Sequence, residues 1–165
     1  MASALRCLLL VAGILGLAPG IASAAATVEL DTLIDVLEIE GDAGVNQITT
    51  LQSETQLVVT GADLTTVLPC TGGGASVTCP LAEARMIAVD LDAGDDVFTS
   101  VAVTLPQSIA GRDGDDRLTG GNAADVLAGG NGNDTLEGRT GVDDYFGEAG
   151  NDTIRANDGI AERIA

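Results

Sequence analysis

The C-terminal part of the chain repeats with a period of nine residues, and this period restricts its folding more than any other feature. Read from Gly111 without insertion or gap, the sequence gives GRDGDDRLT, GGNAADVLA, GGNGNDTLE, GRTGVDDYF, GEAGNDTIR and ANDGIAERI. Self-similarity at a short fixed period is typical of solenoids, in which each repeat is one unit that stacks on its neighbours.

Three positions of the repeat carry most of the pattern. The fourth position is glycine, except at Ala123, in Gly114, Gly132, Gly141, Gly150 and Gly159. The sixth is aspartate, except at Ala161, in Asp116, Asp125, Asp134, Asp143 and Asp152. The eighth is apolar, except at Arg163, in Leu118, Leu127, Leu136, Tyr145 and Ile154.

These residue types predict a loop that binds a hard cation. Glycines at the first, second and fourth positions allow positive φ, so that several carbonyl oxygens can turn toward one centre. The sixth-position carboxylate adds a charged oxygen, and an all-oxygen set of six or more donors is what Ca²⁺ prefers. The candidate calcium ligands are Asp96, Gly111, Asp113, Gly114, Asp116, Gly120, Asp125, Gly129, Gly130, Asn131, Gly132, Asp134, Gly138, Gly141, Asp143, Gly147, Gly150 and Asp152.

The last three residues of each repeat predict a short strand. In Thr135, Leu136 and Glu137 the middle side chain is apolar and its neighbours are polar, so one face points inward and the other toward water. A single strand of this length cannot bury its apolar side, whereas stacked turns can. The sequence therefore predicts an all-β solenoid.

The segment from Gly129 to Glu137 fits the pattern G-G-x-G-x-D-x-U-x at every specified place, and the six repeats resemble the RTX, or haemolysin-type, calcium-binding family. The resemblance covers about a third of the chain, from Gly111 to Ile164. It implies a right-handed parallel β-roll in which two nonapeptides form one turn. It also implies that several Ca²⁺ ions lie between the loops of successive turns.

For this chain, the resemblance implies that three loops stack in order along one edge. The loop that begins at Gly129 lies between the loops that begin at Gly111 and Gly147 and pairs with both. The loops that begin at Gly120 and Gly138 pair along the other edge.

Two departures stand out. Ala123 replaces a fourth-position glycine, and Ala161 removes the last sixth-position carboxylate. The resemblance therefore does not support an ion between the loops that begin at Gly138 and Ala156.

The upstream half contains weaker copies of the repeat. LDAGDDVFT from Leu91 keeps the glycine, the aspartate and the apolar residue, and GDAGVNQIT from Gly41 has the neutral Asn46 at its sixth position. AVTLPQSIA from Ala102 keeps only its apolar residue, so we expect no ion there. The sequence thus predicts one continuous β-solenoid.

We divide the chain into residues 1–24 as a secretory signal peptide, 25–90 as an irregular β-rich cap with a disulfide, and 91–165 as the calcium-binding β-roll. Strand-like composition at Leu57 to Thr60 and at Met86 to Asp90 supports a β-rich cap. A cap is expected because an open solenoid end exposes unpaired strand edges.

The N-terminal segment has the features of a cleaved signal. Arg6 precedes the apolar run from Cys7 to Ala18, and an A-x-A pattern ends at Ala24, after which we expect cleavage. The apolar run is too short to span about 30 Å of hydrocarbon, and a lipid anchor would need a cysteine after the run, whereas Cys7 begins it, so we expect no membrane or lipid anchor. The sequence predicts a secreted protein, extracellular or periplasmic.

Cleavage would leave Cys70 and Cys79 as a pair nine positions apart. In an oxidising compartment such a pair closes a short loop, so we predict a disulfide, with two free thiols as the alternative. Two cysteines with no histidine in the chain cannot complete a tetrahedral zinc site.

Charge and composition exclude several function classes. The net charge is −18 with no histidine and no lysine, which excludes a nucleic-acid binder and argues for a cation as partner. Without histidine there is no Ser-His-Asp, Cys-His or zincin arrangement, so we expect no enzyme. A flexible linker would not place an apolar residue every nine, and no segment has EF-hand spacing.

Two functions remain open. The first is a calcium-dependent structural or surface protein whose repeats fold on binding Ca²⁺. The second is an adhesin or binding module for an unidentified cell-surface or matrix ligand, or the repeat remnant of a larger secreted toxin or hydrolase. An exposed aromatic patch that includes Tyr145 and Phe146 would favour the second.

Overall fold

The computed structural model describes residues 27–31, 36–66, 70–82, 84–156 and 158–165, and these residues form strands and no helix. The strands are β1 (Thr27–Asp31), β2 (Val36–Glu40), β3 (Gln47–Gln52), β4 (Gln56–Thr66), β5 (Thr71–Pro80), β6 (Met86–Asp90), β7 (Val97–Val101), β8 (Gln107–Asp113), β9 (Arg117–Thr119), β10 (Val126–Asn131), β11 (Thr135–Glu137), β12 (Asp144–Ala149), β13 (Thr153–Arg155) and β14 (Arg163–Ile164). Nothing in these ranges forms a helix with the length and hydrophobicity needed to cross a membrane. The predicted signal peptide lies outside the described residues.

Eleven of the fourteen described strands form two parallel sheets that face each other across a narrow core, and the other three, β1, β4 and β5, make antiparallel pairs at the N-terminal end. One sheet has the order β2-β6-β8-β10-β12-β14, and the other has the order β3-β7-β9-β11-β13. Each coil contributes one strand to each sheet, with a loop at each crossing. The structure thus confirms the predicted all-β parallel β-solenoid with a β-rich N-terminal cap.

The pairing register shows the length of one coil. Leu136 pairs with Leu118 on one side and with Ile154 on the other, and Leu127 pairs with Tyr145. Each partner occupies the same position two repeats away along the chain, so two nonapeptides make one turn. Outside the perfect repeats the number of residues per coil changes. Phe98 pairs with Leu118, for example, and the two are separated by slightly more than two repeats.

The eighth-position side chains form a continuous apolar column between the sheets. Leu118, Leu127 and Leu136 are 0% exposed, and Tyr145 is 1% exposed. Burial of each such side chain contributes about 1.5–3 kcal/mol. Fifteen of the twenty buried apolar residues in the described ranges nevertheless lie before residue 104, so the core is much larger in the N-terminal half.

The N-terminal cap contains a long antiparallel excursion. Strands β2 and β3 stack in parallel on β6 and β7, as in the pairing of Ile48 with Phe98, although a long segment of chain separates them. The intervening β4 and β5 pair antiparallel with each other. Cys70 and Cys79 are buried at this hairpin and form the predicted disulfide, with their Cα atoms 4.2 Å apart.

Candidate metal centre

The loops that connect the two sheets lie along two edges of the solenoid. We call residues 41–46, 91–96, 111–116, 129–134 and 147–152 the first-edge loops, because each leads from the first sheet to the second. Residues 102–107, 120–125, 138–143 and 158–161 are the second-edge loops, which lead back. The structure therefore stacks the candidate ligands of the loops at 111, 129 and 147 on one edge, and those of the loops at 120 and 138 on the other.

The sixth-position carboxylates connect successive coils. The Oδ1 atom of Asp134 accepts the backbone N–H of Asp116 at 2.8 Å, and the Oδ1 atom of Asp116 accepts that of Asp96 at 2.8 Å. On the second edge the Oδ1 atom of Asp143 accepts the N–H of Asp125 at 2.8 Å. Each of these side chains thus reaches back to the coil before its own.

The second carboxylate oxygen has no partner at four of these positions. The Oδ2 atoms of Asp96, Asp116, Asp134 and Asp143 are buried and receive no hydrogen bond. A charged oxygen removed from water without a partner costs about 1–3 kcal/mol or more. The arrangement therefore requires a cation or a proton at each Oδ2 atom.

The first-position glycines make room for these oxygens. A Cβ atom at Gly111 would overlap the Asp116 Oδ2 atom, and one at Gly138 would overlap the Asp143 Oδ2 atom. Any larger residue would displace the carboxylate from the loop. Glycine is thus required at the first position, because the sixth-position aspartate of the same repeat lies too close for any side chain.

The fourth-position glycines have a different role. Gly114 and Gly132 have φ values of 140° and 143°, and a Cβ atom at Gly114 would overlap the carbonyl oxygen of Gly94 in the preceding coil. These glycines let the backbones of successive loops come into contact. The second position also has positive φ at Arg112 (83°), Gly130 (117°), Arg139 (72°) and Glu148 (67°), although not at Gly121.

The third-position side chains lie apart from the buried carboxylates. Asp113 and Asn131 are exposed, and the Asn131 amide donates to the Asp113 carboxylate at 2.7 Å. Their carbonyl oxygens accept the N–H groups of Gly94 and Gly114, respectively. The structure therefore does not bring these two predicted ligand side chains to the unpartnered Oδ2 atoms.

Sequence reasoning missed an outer row of contacts at the fifth position. The Oδ1 atom of Asp115 accepts the N–H of Asn133 at 2.7 Å, and that of Asn133 accepts the N–H of Asn151 at 3.1 Å. These side chains reach forward, whereas the sixth-position side chains reach back. The adjacent polar residues D-D, N-D and N-D at the fifth and sixth positions are the sequence signal of this double row.

The second edge ends differently from the sequence expectation. Ala161 carries no carboxylate, but Glu162 replaces it and accepts the backbone N–H of Asp143. The Asp158 carboxylate, also in the last loop, accepts the N–H of Gly141 at 3.4 Å. The last loop therefore keeps acidic side chains, although a strict period of nine does not place Glu162 at the position of the lost carboxylate.

The buried carboxylates hold protons more tightly than ordinary aspartates. Burial raises the pKa of Asp116 to about 7, with a further contribution from the carboxylates of Asp96 and Asp134. Burial also raises the pKa of Asp125 to about 6, although its Oδ2 atom accepts the N–H of Gly121 at 2.7 Å. The pKa of Asp143 is raised for the same reason.

These shifts predict that acid stabilises the calcium-free roll. The folded-state pKa of Asp116 is about 7 and its ordinary value is 3.8, so the stabilising effect is full below 3.8 and is lost as the pH rises through 7. In chelator we expect the repeat coils to be folded at pH 5, with a measurable urea midpoint by circular dichroism, and we expect that midpoint to decrease and then vanish as the pH is raised to 7.5. Saturating calcium should reduce this dependence, and Asp116→Asn should flatten it. A chelated protein that is more stable at pH 7.5 would contradict the assignment.

The donor set fits a hard cation. The described residues contain no group of three or more His, Cys, Asp or Glu side chains placed to hold a metal ion. They offer instead a buried carboxylate oxygen in each of several stacked loops, and a Cβ atom at Gly111 would meet both the Asp116 Oδ2 atom and the carbonyl oxygen of Gly129 in the next coil. Calcium accepts such a mixed set of carbonyl and carboxylate oxygens.

Comparison with known proteins agrees with this geometry. Residues 108–136 and 137–159 match the four-copy family model of the RTX calcium-binding nonapeptide repeat. No curated protein and no solved structure matches the chain.

Proposed function

Because residues 108–159 carry RTX calcium-binding nonapeptide repeats, we propose that this chain is a secreted structural or surface protein whose repeat region folds on binding Ca²⁺. The observation that carries the proposal is the row of buried, unpartnered Oδ2 atoms in stacked loops. The proposed function is structural rather than catalytic.

Calcium would act by neutralising these carboxylates. Strands of adjacent coils are about 4.8 Å apart, so the acids of successive loops lie close together. On the first edge the carboxylates of Asp96, Asp116, Asp134 and Asp152 would hold ions with the loop carbonyl groups, and on the second edge those of Asp125 and Asp143 would do so. When bound, the ion supplies positive charge and cross-links successive coils, while the chain supplies the spacing of the loops.

Secretion is supported by the sequence and by the disulfide. The signal-like segment 1–24 would direct the chain out of the cytosol. The bond between Cys70 and Cys79 is suited to an oxidising compartment. Calcium outside the cell is abundant enough for sites with dissociation constants of about 10⁻⁴ to 10⁻³ M.

The adhesin alternative receives no support from the two adjacent aromatic residues. Tyr145 is 1% exposed and its hydroxyl accepts the N–H of Gly138 at 2.9 Å, so it belongs to the interior. Phe146 is 38% exposed on the opposite face of the same strand. The two rings therefore do not form a joint surface.

Calorimetric titration of the oxidised chain 25–165 with CaCl₂ tests the proposal. We expect more than one ion per chain, with dissociation constants at or below about 10⁻³ M, because each edge stacks several acidic loops. Magnesium is the control and should bind much more weakly, since it prefers a rigid octahedral set and retains its waters. The weakest expected dissociation constant is about 1 mM, so a chain that binds no calcium at about 10 mM CaCl₂ would contradict the proposed function.

A further inference from the structure

Asn46 occupies a special place at the start of the first edge. It stands at the sixth position of the loop 41–46, where the next loops carry Asp96 and Asp116, and it is 2% exposed. Its backbone N–H donates to the Asp96 Oδ1 atom at 2.6 Å, as the downstream aspartates do to the acid of the following coil. Asn46 is thus the first member of the same row, without the charge.

The side-chain nitrogen of Asn46 is surrounded by oxygens. Its Nδ2 atom lies 2.9 Å from the carbonyl oxygen of Asp42 and 2.8 Å from that of Gly44, both in its own loop. It lies 3.2 Å from the carbonyl oxygen of Leu91 and 3.3 Å from the Asp96 Oδ1 atom, both in the next loop. Three carbonyl oxygens and one carboxylate oxygen from two successive loops therefore converge on one amide group.

This set of oxygens has the composition expected around a calcium ion, but a hydrogen-bond donor lies at its centre. The amide group donates two hydrogens and carries no net charge. A Cβ atom at Gly41 would meet the Asn46 Nδ2 atom, as one at Gly111 would meet the Asp116 Oδ2 atom, so the amide nitrogen stands where the downstream loops have the second carboxylate oxygen. The Asn46 Oδ1 atom is buried without a partner, which costs less for a neutral oxygen than for a charged one. An aspartate here would place a second charged oxygen against the carbonyl groups, and at neutral pH a cation or a proton would have to relieve the repulsion.

We propose that the Asn46 amide takes the place of a calcium ion between the first two coils, so that this end of the roll folds without calcium. The inference rests on the proposed calcium-binding function of the downstream loops. The preformed end then presents an ordered edge on which the calcium-dependent coils stack.

The distribution of the core supports the same division. The coils around Asn46 contain the buried side chains of Leu37, Ile39, Ile48, Ile87 and Phe98, all between 0% and 3% exposed. The disulfide-bonded hairpin packs into the same cluster. Strands β9 to β12 have a single buried apolar side chain each, and β13 and β14 have none, so the last coils depend more on the ions.

Gln107 provides a matched control on the second edge. It also occupies a sixth position, is 2% exposed, and its N–H donates to the Asp125 Oδ1 atom at 2.8 Å. Its amide nitrogen, however, donates to the Ser100 hydroxyl at 2.7 Å, and that hydroxyl lies 2.8 Å from the Thr50 hydroxyl. The Gln107 amide therefore lies among side chains and does not replace an ion.

The test compares wild-type, Asn46→Asp and Gln107→Glu chains, all oxidised and covering residues 25–165. Bound calcium is counted by atomic emission after equilibrium dialysis, and hydrogen exchange is followed in peptides from β2 and β3. We expect Asn46→Asp to bind one ion more than wild type, and Gln107→Glu to bind no additional ion. We also expect β2 and β3 of wild type to be equally protected in calcium and in chelator, and those of Asn46→Asp to be protected only in calcium.

An Asn46→Asp chain with an unchanged ion count, or one that is unprotected even at saturating calcium, overturns the inference. Loss of protection of β2 and β3 in chelated wild type overturns it as well, without any substitution. A wild-type chain that binds no calcium would instead refute the proposed function on which the inference rests.

Discussion

Removal of calcium at neutral pH is expected to unfold the coils from residue 111 onward. Two unit charges about 5 Å apart repel by about 3 kcal/mol at an effective dielectric constant of 20. Along the first edge Asp116, Asp134 and Asp152 form two such neighbouring pairs, and Asp125 and Asp143 form another on the second edge. A folded domain is stable by only about 5–15 kcal/mol in total, so these repulsions are decisive.

The apolar column cannot compensate for this repulsion. Leu118, Leu127 and Leu136 contribute about 1.5–3 kcal/mol each, and this gain must also offset the conformational entropy of ordering their coils. Ion binding therefore has to supply part of the folding free energy. In calcium the same coils should be ordered to the end of β13.

Circular dichroism and hydrogen exchange of the oxidised chain 25–165 provide the measurement. We expect a large loss of β signal in chelator at pH 7.5, fast exchange in peptides after residue 110, and recovery on addition of calcium. Magnesium at the same concentration serves as the control and should restore little. A complete β spectrum in chelator at this pH would show that the repeats fold without the ion.

The period of nine predicted the parts of the fold that depend on local pattern. The inward column at Leu118, Leu127 and Leu136 follows from the eighth position, and the coil of two repeats follows from the resemblance to known repeats. The strand at Met86–Asp90 and the disulfide were likewise predictable, the first from strand composition and the second from the even cysteine pair.

Other features depend on coils whose length differs from two nonapeptides, and the period of nine does not encode these lengths. Ile48 pairs with Phe98, and the long chain segment between these two residues contains an antiparallel hairpin. No nonapeptide pattern indicates where that hairpin pairs. Glu162 takes a place among the stacked acidic side chains because the last coil, from Asp144 to its strand partner Arg163, is slightly longer than two repeats. The donor role of Asn46 could not be predicted, because an asparagine can present either its oxygen or its nitrogen to a loop.

Asp134→Ala is expected to weaken calcium binding by about tenfold or more, whereas Asn46→Ala should change calcium affinity little. Asp134 lies in the middle of the first edge, between the loops 111–116 and 147–152, so its carboxylate can contribute to ions on both sides. Its Oδ1 atom also accepts the N–H of Asp116, and its own N–H donates to the Asp152 Oδ1 atom at 3.0 Å. An interaction with a charged group is worth about 1.5–3 kcal/mol, and about 1.4 kcal/mol corresponds to a factor of ten.

The comparison needs a variant with the same change of charge, because the net charge of −18 attracts calcium to the whole surface. Glu54→Gln meets this need, since Glu54 is exposed in the turn between β3 and β4. This turn lies beside the second-edge loop 102–107, where Gln52 contacts Thr104 and where we expect no ion, and not beside the acidic loops. By calorimetric titration at about 0.15 M salt, Glu54→Gln should match wild type within about twofold, since screening over about 8 Å removes most long-range effects. Asn46→Ala should lower the stability of the first coil and leave the ion count unchanged. Equal losses of affinity in Asp134→Ala and Asn46→Ala would mean that calcium binding does not depend on the sixth-position carboxylates.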